Sequence, residues 1–94
     1  MEFTSEIHKC TFTIPDRPTV REQLAYFSGA SGSDFLFRLW SGAKAIITKW
    51  ECDLLPDKET KLETLFDPSV TQMLIWVGLK VSEHMGALED IPKN

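Results

Sequence analysis

Concentrated positive charge is what this chain most plainly lacks. Its ten lysines and arginines are scattered over 94 residues against 14 acidic ones, for a net charge of −4. Without a basic patch there is no electrostatic footprint for a phosphate backbone, so nucleic acid is not expected as a partner. Histidine and cysteine are scarce too, two of each. "HKC" brings His8 near Cys10, but Cys52 and His84 are far off, and the spacing matches no zinc pattern. Nor does it form a recognisable Cys–His nucleophile pair. Two cysteines are too few for a disulfide framework and read as reduced thiols of a cytosolic protein.

Long hydrophobic runs are also missing. "MEFTSEIHKCTF" has no apolar segment of the kind a secretory leader needs, and none is expected. The best candidate for a span, "TQMLIWVGLKVSEHM", is interrupted by Gly78 and Lys80, well short of the roughly 20 apolar residues a bilayer requires. No membrane partner is expected. Asp53, Asp57, Glu59, Glu63 and Asp67 lack the alternation and the glycine of a calcium loop and read as solvated flanks and caps. "SGASGS" has the glycines of a phosphate cradle without its lysine and reads as a linker. The sequence therefore predicts no enzyme: no catalytic residue, no cofactor and no metal.

What is present is enough for one core. Hydrophobic residues make up 43% and charged residues 26%, the balance of a globular chain, and the whole of 1–94 reads as a single domain. The predicted fold is mainly α: a small helical domain of three main helices plus one short helix, with an N-terminal extended arm or short β-strand. In the arm and turn, 1–18, Cys10, Phe12 and Ile14 fall on one side of an extended chain, with Thr11 and Thr13 on the other. Pro15 and Pro18 then frame a turn.

Thr19 and Glu22 form the capping box T-x-x-E at the head of a helix over 19–28, on which Val20, Leu24 and Phe27 share a face. The flexible connector 28–33 ends it. Ser33 can cap a second helix over 33–51, with Phe35, Leu39, Ile46 and Trp50 as its stripe, widened by Leu36, Trp40, Ala43 and Ile47. Pro56 breaks this helix, and 58–66 reads as a short helix. The last helix, 68–88, has Asp67 as its N-cap and Pro68 at its first position, and should end before "EDIPKN".

At about 100° per residue, Val70, Met73, Leu74, Val77, Val81, Met85 and Leu88 form one broad stripe on that helix. Ile75, Trp76 and Leu79 lie off it. Either the helix is covered on both faces, or the second face meets another chain. Trp76, with Ile75 and Leu79 beside it, is the first candidate for protein interaction. Trp40 lies near the stripe of the second helix, where core is the commoner place, and is kept as a further contact candidate. Replacing Trp76 or Leu79 by Asp is expected to leave the monomer folded and to weaken contacts with other chains.

Three passages carry a likeness to a known family: "FTIPDRPTVREQLAYFS", "FRLWSGAKAIITKWECDLLPD" and "MLIWVGLKVSEHMGALEDIPKN". Together they resemble the small tail assembly chaperones of long-tailed bacteriophages. The resemblance implies a mostly helical protein of the host bacterial cytoplasm that coats the tape-measure protein before the tail tube forms. It implies that the protein is absent from the mature virion and that it self-associates as a homo-oligomer, with the tail tube protein as a further partner. A client helix with apolar stripes needs a partner offering apolar faces, which this chain can supply. A different reading of the same compact, acidic chain is a phage-encoded inhibitor that occludes the surface of a host defence protein.

Overall fold

The alternation at the N-terminus is the start of a sheet rather than a lone arm. The computed structural model describes residues 1–30 and 35–89, with side chains through Gly86. Three strands, β1 (Glu2–Ser5), β2 (Cys10–Thr13) and β3 (Lys49–Cys52), form an antiparallel sheet in the order β1-β2-β3. Cys10 and Phe12 face inward from β2 and are buried, as is Ile14 beyond it, while Thr11 and Thr13 are half-buried on the other side. Phe12 lies opposite Phe3 on one neighbour and Trp50 on the other. Its ring centroid is 5.1 Å from that of Phe3 and 6.4 Å from that of Trp50. Such cross-strand aromatic pairs hold a short sheet in register.

This sheet overturns the mainly α expectation; the molecule is a small α+β fold. The decisive segment is the end of the helix predicted over 33–51. The helix α2 covers Phe35–Ile46 and then gives way to β3. Ile46, Ile47 and Thr48 are consecutive β-branched residues, poor at continuing a helix. The Thr48 amide and hydroxyl both donate to the Thr13 carbonyl, at 2.8 and 3.2 Å, which hooks the chain onto β2. From there Lys49 and Glu51 point to solvent, Trp50 is half-buried and Cys52 buried, a two-residue period. The helical spacing from Ile46 to Trp50 concealed it.

The register also corrects the reading of the cysteines as two separate thiols. Cys10 stands directly opposite Cys52 in the β2–β3 pairing, with Cα atoms 4.0 Å apart, and the two are joined in a disulfide. The short helix predicted over 58–66 is a single 3-10 turn, Leu62–Thr64. Ahead of it, Asp57 accepts from the Glu59 amide at 2.9 Å and, through its carbonyl, from the Thr60 hydroxyl at 2.7 Å. Those local bonds offer the backbone an alternative to a continuous helix.

The other helices begin where the caps place them. In α1 (Val20–Gly29) the Thr19 hydroxyl accepts from the Glu22 amide at 3.1 Å, and the Thr19 amide donates to the Glu22 carboxylate at 2.9 Å. In α3 (Pro68–Glu89) the Ser69 amide donates to the Asp67 carboxylate at 2.9 Å. The cap proposed at Ser33, the connector beyond Ala30 and the segment "DIPKN" lie outside the described residues.

α2 sits between the other two helices, and glycines set both approaches. A Cβ on Gly42 would lie 3.0 Å from the Cβ of Ala30 and 3.1 Å from the Tyr26 ring. A Cβ on Gly78 would lie 2.7 Å from the Cβ of Leu39. Met73, Val77 and Val81 of α3 are fully buried in the same core as Phe12, Ile14 and Leu55. Of the predicted stripe, Val70, Met73, Leu74, Val77, Val81 and Met85 are all buried.

Candidate apolar docking surface

Among the described residues, two groups of neighbouring apolar side chains stay open to solvent once the core is closed, apart from single exposed residues such as Ile7. The first is a groove of about 600 Å³ between the N-terminal half of α2, the 3-10 turn and the start of α3. Leu36, Phe37 and Trp40 form one wall, Leu62, Leu65 and Phe66 the floor and lip, and Val70, Leu74 and Ile75 the other wall. Its size falls in the range of about 300–1,000 Å³ common to binding clefts. Phe66 is 90% exposed. As the residue before the Asp67 cap, it occupies the place from which a hydrophobic staple packs on the fourth helical residue. That residue is Thr71, so the phenyl ring has no apolar partner there.

The second feature is the outer face of α1. Val20, Leu24 and Phe27 are 71%, 64% and 48% exposed. The helix instead packs on α2 through Tyr26, its one buried residue, which lies about 130° round the helix from that stripe. The periodicity of the stripe is legible in the sequence; its outward direction is not. The signal for it is small: Gly42 takes the Tyr26 ring at a distance a larger residue would forbid.

The predicted contact residues part company. Trp40 is only 5% exposed, packs on Trp50 with ring centroids 5.4 Å apart, and so is core that also walls the groove. Ile75 is half-buried in the groove's other wall. Trp76 is half-buried, its ring edge-on to Phe12 at 5.5 Å and tilted over His8 at 5.6 Å. Leu79, one turn beyond Ile75, is 50% exposed and outside the groove lining. Sequence reasoning missed Phe66 and treated Leu36 as part of a core stripe, although it is 50% exposed at the groove. Three consecutive large apolar residues, Phe35 to Phe37, cannot all face one side of a helix, and that was the available clue.

Among the described residues, polar side chains do not gather into a comparable site. Cys10 and Cys52 are consumed in their disulfide. His84 is half-buried on α3, remote in sequence from His8, which leans on Trp76. Among the described residues no three His, Cys, Asp or Glu side chains gather as a cation site. Nor, among those residues, is any helix long and apolar enough to cross a membrane. The Asp16 carboxyl is lowered from its ordinary range by its hydrogen bond to the Met1 ammonium and by that group's charge.

The groove is lined mainly by apolar side chains, with Glu63 and Asp67 near its rim. Comparison with family models, curated proteins and solved structures finds no match in any of the three.

Proposed function

We propose that this protein is a non-enzymatic tail assembly chaperone of a long-tailed bacteriophage. It binds apolar helical segments of the tape-measure protein during tail morphogenesis and does not remain in the mature virion. The observation that carries this reading is the groove between α2 and α3 with Phe66 at its lip, 90% exposed. A large aromatic side chain in water is costly unless contact with another chain covers it, and a contiguous apolar cleft suits the stripe of an amphipathic helix. Two of the three passages that resemble the family contribute to this surface: Phe37 and Trp40 lie in the second, with Leu36 just before it, and Leu74 and Ile75 in the third.

The test is co-expression with the tape-measure protein encoded in the same genome. The wild-type chain should hold the tape-measure protein in the soluble fraction and co-purify with it. Phe66→Asp, equally folded by circular dichroism, should lose both effects. Failure of the wild-type chain to co-purify would overturn the proposal.

A further inference from the structure

We propose that the Cys10–Cys52 disulfide is a redox latch on the groove: once a dithiol reduces it, β3 loosens and the α2 wall of the groove loosens with it. This rests on the reading of the groove as a helix-docking site and adds what controls it.

The bond lies where the backbone supplies no link. The Asp53 amide donates to the Lys9 carbonyl at 3.1 Å, so the adjacent pair, Cys10 and Cys52, exchanges no backbone bonds of its own. Side chains come closest at such pairs, and here the two sulfurs join the strands directly. β3 has four residues and stands at the end of the order β1-β2-β3, with Lys49 and Glu51 exposed. One end of it is hooked to Thr13 through Thr48. The other end runs through Asp53 to Pro56, which has no amide to donate. On the β2 side, Lys9 precedes Cys10 with φ 51, a left-handed conformation that strains a residue with a Cβ. The disulfide thus fastens the end of an edge strand against a strained turn.

A short path leads from that bond to the groove. Trp50, two residues before Cys52, donates its indole N–H to the carbonyl of the buried Leu55 at 2.6 Å. Cys52 therefore sits within a small loop whose two ends are tied. The Trp50 ring lies 5.4 Å from the Trp40 ring, and Trp40 walls the groove. When Cys52 is released, the strand carrying Trp50 is freed and Trp40 loses its backing.

Cys10 and Cys52 are 2% and 4% exposed, so a reductant reaches them when the end of β3 opens. One thiolate of the dithiol attacks a sulfur of the pair and displaces the other cysteine. The second thiol of the reductant then closes its own disulfide and releases the first cysteine. One S–S bond breaks and one forms, and two electrons and two protons pass to Cys10 and Cys52.

The test follows the Trp40 and Trp50 indole signals by nuclear magnetic resonance in the oxidised chain, after excess dithiothreitol, and after reoxidation with oxidised glutathione. Reduction should give two thiols by mass spectrometry in a chain that keeps its helical circular dichroism, and should move both indole signals reversibly. Binding of an apolar helical tape-measure peptide should weaken by about tenfold, the factor for a groove formed about one-tenth of the time. The double variant Cys10→Ala, Cys52→Ala should bind like the reduced chain and ignore dithiothreitol. A bond that survives dithiothreitol in the folded chain, indole signals that stay put on reduction, or complete unfolding on reduction would overturn the latch. If both redox forms bind the peptide equally, the latch falls and the chaperone reading stands. If the indole signals move reversibly while neither form binds any tape-measure peptide, the chaperone reading falls and the coupling of the disulfide to the groove stands.

Discussion

The Lys58 ammonium donates to the Ile47 carbonyl at 2.8 Å and approaches the Lys44 carbonyl at 3.4 Å, so a side chain from the following loop covers the C-terminal end of α2. Cations are favoured there because the last carbonyls of a helix lack backbone donors. Lys58→Met should therefore lower stability by about 1 kcal/mol, the worth of a partly exposed charged hydrogen bond. The denaturant midpoint checks it, with the slope unchanged.

Gly78 and Gly86 lie on the same helix but should respond to alanine with opposite signs. At Gly78 the new methyl would meet the Leu39 Cβ at 2.7 Å, while at Gly86 no atom of the described residues lies within 4 Å. Gly78→Ala should destabilise by about 1–3 kcal/mol through overpacking. Gly86→Ala should stabilise by about 0.5–1 kcal/mol through helix propensity. Thermal melts of the two variants decide it.

The Cys10–Cys52 disulfide spans 42 residues of sequence. Mass spectrometry of the oxidised, purified protein should find no free thiol. Double replacement by alanine should cost about 2–4 kcal/mol in the denaturant-unfolding free energy, chiefly by releasing the unfolded chain. Two titratable thiols in the folded, oxidised protein would contradict the pairing.

Trp76 and Leu79 should no longer behave alike, although the sequence grouped them. Trp76 packs against Phe12 and His8, so Trp76→Asp should lose about 2–4 kcal/mol and broaden the melt. Leu79 is 50% exposed, and Leu79→Asp should change stability by less than about 0.5 kcal/mol.

That pair shows how much of the fold and of the site was legible beforehand. The caps at Thr19 and Asp67 and the core stripe of α3 follow from local chemistry, and they stand where the sequence puts them. β3 was hidden because four residues are too few to establish a two-residue period against the helical spacing before them. The groove was hidden for a different reason. Leu36, Leu65, Phe66 and Ile75 come from three separate elements, and only the packing of α2 on α3 at Gly78 brings them to one cleft. Hydrophobic periodicity tells which residues share a face, but not whether another part of the chain covers it.

The most direct test of the account is a nuclear magnetic resonance titration of the labelled chain with apolar helical peptides from the tape-measure protein. Saturable shifts should concentrate at Leu36, Phe66 and Ile75 and leave the β1–β2 edge unmoved. Shifts confined to the sheet, or no saturable shift with any peptide across the tape-measure sequence, would contradict it.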